Sequence, residues 1–124
     1  MRLSNAAAFV IALLLSAQTL SQPSPEDIQR FDQGIIAINN SMKNEAWSLL
    51  LPLAKKGNPL AAYKLGEMVM NSPEFPNHIQ KAEKLFAAAS SMGYTPAIEM
   101  LRSLNQFQKD QAAQAQILAQ TVTA

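Results

Sequence analysis

The 124-residue chain contains no cysteine and a single histidine, His78. The first absence removes disulfides, thiolate metal sites and cysteine nucleophiles, and it excludes a lipid-modified cysteine behind an exported N-terminus. The second removes the paired imidazoles that a metal centre or proton relay would use. His78, next to a helix-capping candidate, is expected to be a solvated loop side chain. Charge is scarce as well: 15% of residues are charged, ten basic against nine acidic. Such a balance gives no pull toward nucleic acid or an anionic membrane. No stretch alternates as a strand does, so no glycine-rich phosphate loop can follow one. Glu26 and Asp27 adjoin each other in a first helical turn, where capping accounts for both. Catalysis needs convergent polar groups, and none are nominated. Non-enzymatic function is expected, with no catalytic, cofactor-binding or metal-binding residue.

What the chain does have is apolar mass, 48% of its residues. One domain of this length must then be held by helix packing alone. Met1 and Arg2 precede an apolar run, Ala6 to Leu15, closed by the polar stretch "SAQTLSQ". This is the pattern of a secretory signal peptide, and ten residues are too short to span a bilayer of about 30 Å. Residues 1–21 are expected to be removed after Ser21, with cleavage after Ala17 or an uncleaved anchor as alternatives. Residues 22–107 then form the folded domain and 108–124 a tail.

Helix signals fill the rest. Ser24 suits an N-cap, Pro25 a first helical position and Asp27 the capping-box spacing. The first helix is expected over Pro25–Asn39, with Ile28, Phe31, Ile35 and Ile38 on its inner face. A second begins near Asn44 with Ala46, Leu49, Leu50 and Leu53 inward, is kinked at Pro52, and ends at Gly57. The third runs from Pro59 to about Met70. Asn77 caps a fourth that reaches Met92 and stops at Gly93. The fifth runs from about Pro96 to Phe107. The glutamine- and alanine-rich tail carries only a thin apolar stripe of Ile117, Leu118 and Val122, so it is either a sixth, capping helix or a frayed end.

A fixed offset connects these helices. Thirty-six residues separate Ala46 from Ala82, Leu49 from Leu85, Leu50 from Phe86, Gly57 from Gly93, Ala61 from Ala97, and Leu65 from Leu101. A period of this size is the mark of a solenoid, in which helix pairs stack to bury faces that none could bury alone. The spacing resembles the Sel1-like repeats, relatives of the tetratricopeptide repeats. Ala61, Leu65, Gly66, Lys81, Ala82 and Gly93 meet that family's pattern, with its bulky pair at Leu85 and Phe86 and its small pair at Ala89 and Ser90. The stretch "FDQGIIAINNSMKNEAW", with Gly34 twelve residues before Ala46, looks more like a tetratricopeptide unit. Departures lie in the loop, where Val69, Ser72, Glu74, Phe75 and His78 replace the usual residues, and at Arg102, which stands where a further repeat would place its glycine.

The resemblance implies an all-α, short right-handed superhelix of antiparallel helix pairs, five to six helices in all, which binds partners on the concave face formed by the first helix of each pair. Tyr63, Glu67 and Met70 are expected to face outward there, with Glu99, Ser103 and Gln106 as counterparts one repeat later; Tyr63 and Met70 could equally cover the neighbouring helix. Trp47 and Leu51 are expected at the core edge. Gly66 and the alanines at 46, 61 and 82 are expected to let helices approach closely. The expected role is a non-catalytic protein-binding adaptor or regulator in a bacterial periplasm, with secretion as the alternative location. The alternatives are an immunity protein or inhibitor against a toxin, an envelope hydrolase, or self-association near Arg102–Phe107.

Overall fold

The structure is a computed structural model that describes residues 23–123; the expected signal peptide lies outside the described residues. All described regular structure is helical: α1 (Pro25–Asn39), α2 (Lys43–Lys55), α3 (Pro59–Met70), α4 (His78–Ser91) and α5 (Thr95–Thr123). Local chemistry sets the starts. The Ser24 hydroxyl accepts a hydrogen bond from the Asp27 N–H at 3.1 Å, and the Asn58 side chain accepts one from the Ala61 N–H at 3.1 Å, each followed by proline at the first helical position. Pro52 lies inside α2, within a turn of its end. The ladder bond it cannot make would have gone to the carbonyl of Ser48, an exposed residue, so water can take the place of the missing donor.

The helix ends show a shared device. Asn58 donates to the Leu53 carbonyl (3.0 Å) and Tyr94 to that of Ala89 (3.1 Å), each across a glycine with positive φ, +99° at Gly57 and +84° at Gly93. These left-handed residues satisfy the last carbonyls and reverse the chain. Nothing lies within 4 Å of a Cβ built at either glycine, so conformation rather than space selects them. Among the described residues two non-glycine residues also have positive φ, Ser41 (59°) and Asn77 (55°), again 36 residues apart and just before α2 and α4. Asn77 stands at the N-cap of α4 as expected, but it caps without a side-chain bond, because its backbone is left-handed.

Each helix packs mainly on its neighbours in sequence, and α1 also reaches α3. Three-residue links follow α1, α2 and α4, whereas seven residues, 71–77, follow α3. The 36-residue offset pairs positions of like burial: Ala46 with Ala82, Leu50 with Phe86 and Ala61 with Ala97 are all fully buried. Between α1 and α3 the correspondence is instead 32 residues, Gly34 with Gly66 and Ala37 with Val69, all buried. The four-residue difference matches the extra length of the 71–77 link.

Both glycines are contact points. A Cβ at Gly34 would lie 2.5 Å from Cγ and Cδ2 of Leu50; one at Gly66 would lie 2.6 Å from Cε1 of Phe86. In each pair the second helix rests a large side chain on a bare backbone of the first. This contact orients α1 so that Gly34 and Ala37 are its buried residues, while Ile28, expected inside, is 51% exposed. Phe31, Ile38, Trp47, Leu49 and Leu51 pack at the edge of the core.

The expected stop at Phe107 is not a helix end. α5 continues unbroken to Thr123, so residues 108–123 are the second half of one helix and not a sixth.

Candidate partner-binding surface

The face expected to bind runs over α1, α3 and α5. Tyr63 does not project freely from it: the ring sits 5.4 Å from that of Phe86 and 5.1 Å, edge-on, from that of Tyr94. Burial raises the Tyr63 phenol above its ordinary pKa, and the carboxylate of Glu67 adds to the shift. Met70 packs against the cluster of Ala82, Phe86 and Leu104. Both residues thus cover the neighbouring helix, because the ring of Phe86 fills the space above Gly66 and draws Tyr63 and Met70 against it.

Glu67 remains half exposed. Lys64, one turn earlier, comes within 3.3 Å of its Oε1, yet that oxygen is shielded from solvent and makes no aligned hydrogen bond. The pair is a charge contact without directional bonding, and at a partly exposed site it contributes little stability. Glu67 borders a cleft of about 300 Å³ between the ends of α1 and α3 and the start of α2, lined on its apolar side by Ile38 and Met68. The cleft is close to neutral, since Lys64 faces Glu67 and Lys43 is bonded to Glu74. The salt bridge to Lys43 holds the Glu74 carboxyl below its ordinary pKa and fastens the 71–77 link to α2. Ser72, the buried hydroxyl at the cleft, is satisfied internally by donating to the Met68 carbonyl at 2.5 Å.

Glu99, Ser103 and Gln106 are exposed on α5. Ser103 donates to the Glu99 carbonyl (3.1 Å) and the Gln106 amide nitrogen to Asp110 (2.9 Å), which leaves the Glu99 carboxylate and the Gln106 amide oxygen open on the surface. Glu99 lies near enough to Tyr63 to raise its pKa slightly, which makes Glu67 and Glu99 an acidic border around the half-buried ring. The six expected residues therefore fall into a packed pair, Tyr63 and Met70, and a polar set, Glu67, Glu99, Ser103 and Gln106.

Among the described residues no cluster of three or more His, Asp or Glu side chains could hold a metal, and no helix is long and apolar enough to cross a membrane. Compared with known proteins, the chain matches no family model, no curated protein and no solved structure. The Sel1-like resemblance thus rests on spacing, burial and backbone correspondence within this chain.

The cleft residues Lys43 and Met68 were not singled out by the sequence, which placed Ile38 only on the inner face of the first helix, nor were the Lys43–Glu74 and Lys56–Asp27 bridges. Each joins residues about 30 positions apart, and no local signal marks such a pairing. The thin stripe in the tail was visible, but not that it extends one continuous helix.

Proposed function

We propose that this chain is a small Sel1-like helical-repeat protein of the bacterial envelope that binds a protein partner without catalysis. The observation that carries this reading is the doubled internal geometry: Ala46, Leu50, Leu53 and Ala61 share burial with the residues 36 positions later, and paired left-handed residues fall at 41 and 77 and at 57 and 93. Such a stack binds through its extended outer faces. Export rests on the N-terminal pattern of Arg2, the Ala6–Leu15 run and the polar segment after it. The partner face is the acidic border of Glu67 and Glu99 around Tyr63, extended along Ser103 and Gln106. A partner meeting it would present a basic or hydrogen-bond-donating edge.

The test is chemical crosslinking in envelope extracts with the wild type and a Glu67→Lys/Glu99→Lys variant. These substitutions spare the packed Tyr63 and Met70, and the variant's circular dichroism should match the wild type. One protein captured by the wild type and lost with the variant supports the assignment, and equal capture overturns it. A captured toxin would favour the immunity role, whereas a captured sensor or assembly factor would favour a regulator or adaptor. Intact mass of the exported protein checks the removal of residues 1–21.

A further inference from the structure

The second half of α5 stands apart from the helix packing. Leu104 is buried against Phe86 and Ala82, and Gln108 donates to Glu83 on α4; from Asn105 to Thr123 every residue is exposed. Fifteen residues, 109–123, thus extend for about 22 Å as helix beyond the bond between Gln108 and Glu83. A helix of that length is marginal in water unless something packs on it.

Its surface indicates what that something is. The stripe by which α5 packs on α4, Leu101 and Leu104, continues at spacings of four and three residues through Gln108, Gln111, Ala115, Leu118 and Val122. Leu118 is 66% and Val122 78% exposed, with Phe107 (56%) beside the stripe. No charged residue occurs from Gln111 to Ala124. An amphipathic helix lying on lipid carries lysine or arginine along its polar face, and this arm has none after Lys109. An acidic or basic protein would likewise find no complementary charge. A second copy of the same arm suffers no charge repulsion and presents an equally uncharged stripe across a two-fold axis.

We infer that the chain self-associates through this arm as an antiparallel helix pair. With the axis between Gln116 and Ile117, Ala115 faces Leu118 of the second copy and Gln111 faces Val122 of the second copy. The small Ala115 then opposes the large Leu118 in both directions, and the helix dipoles oppose. Four such layers bury less than the roughly 1,200 Å² of a standard interface, so the dimer is weak and concentration-dependent. This surface is separate from the Glu67–Glu99 face, and its test does not depend on that reading.

The experiment is analytical ultracentrifugation of the full chain from about 5 µM to about 500 µM, a range that brackets a weak dimer. The average mass should rise toward the dimer in the wild type and in Ile117→Glu, whose side chain is equally exposed but off the stripe. Leu118→Glu should remain monomeric throughout. A monomeric wild type overturns the inference and leaves the stripe to a different helix. Association that survives Leu118→Glu, through any other segment, also overturns it. Because the chain lacks cysteine, single Ala115→Cys and Val122→Cys variants report geometry under mild oxidation. Ala115→Cys should form a disulfide dimer and Val122→Cys should not, since antiparallel pairing separates the two 122 positions by about 16 Å along the axis. Crosslinking at both positions would refute the antiparallel arrangement.

Discussion

Gly66→Ala is the substitution on which the packing scheme can be judged most sharply, because two opposed effects meet at one atom. Alanine at a helix-interior position should stabilise by about 0.5–1 kcal/mol through propensity alone. Here the new methyl would meet Phe86 at 2.6 Å from Cε1, 2.8 Å from Cδ1 and 3.0 Å from Cζ. Carbon atoms rest about 3.5–4.0 Å apart, so the ring would have to withdraw by roughly 1 Å. Phe86 is fully buried and braced by Tyr63, which leaves the ring nowhere to go. Overpacking of this kind costs about 1–3 kcal/mol. The net expectation is a loss of about 0.5–2 kcal/mol, read as a fall in Tm of about 3–10 °C for a body of this size. The decisive arm repeats the change in a Phe86→Ala background, where the obstructing ring is gone. Phe86→Ala itself costs about 3–5 kcal/mol, but adding Gly66→Ala to it should now raise the urea midpoint by the propensity gain. A reversal of sign between backgrounds isolates the contact. A Gly66→Ala protein that melts at or above the wild type would refute the contact, as would the same sign in both backgrounds.

Ser41→Gly should stabilise by about 0.5–1 kcal/mol, since glycine accepts the left-handed conformation that costs serine energy; a rise in Tm of a few degrees checks it. Gly93→Ala should destabilise by about 1 kcal/mol although open space surrounds the position, and Gly93→Asn should recover part of that in the same thermal melt. Acid should loosen the links between elements. Lys56 holds the Asp27 carboxyl below its ordinary value of 3.8, and Lys43 holds that of Glu74 below 4.5. Depressed carboxylate pKa values give stability that is complete above the unfolded values and is lost as pH falls through the folded ones. The urea midpoint should therefore decline below about pH 4.5, and Asp27→Asn/Glu74→Gln should flatten that decline while lowering the midpoint at pH 7.

What could be read from the sequence was local or periodic. Ser24, Pro25, Pro59, Gly57 and Gly93 act through their own backbone neighbourhoods, and the structure places the helix ends where these residues predict. Ala46 with Ala82 and Leu50 with Phe86 were legible because stacking repeats a burial pattern at a fixed offset. Rotation about a helix axis was harder to foresee. Ile28 has the spacing of an inward residue, yet α1 turns to bring Gly34 under Leu50, and a residue without a side chain gives no hydrophobic signal. Tyr63 and Met70 illustrate the same difficulty. Their spacing put them on one face, but the reach of Phe86 from another helix decides whether that face is open.

The helix packing changes character at one residue of α5. In α1 and α3 a glycine receives the large side chain of the helix that follows, Leu50 on Gly34 and Phe86 on Gly66. In α5 the position 36 residues after Gly66 is Arg102, and it is exposed. A guanidinium there denies a further helix the close approach that both earlier pairs use, and its charge would be costly to bury unpaired. The chain after Arg102 accordingly does not turn back. No glycine or proline occurs between Gln106 and Ala124, so nothing local breaks the helix. α5 runs straight past the end of α4, carrying its packing stripe beyond the helix it had covered. The end of the glycine contacts and the start of the unpacked arm thus both fall in α5, where Arg102 offers no bare backbone to a further helix.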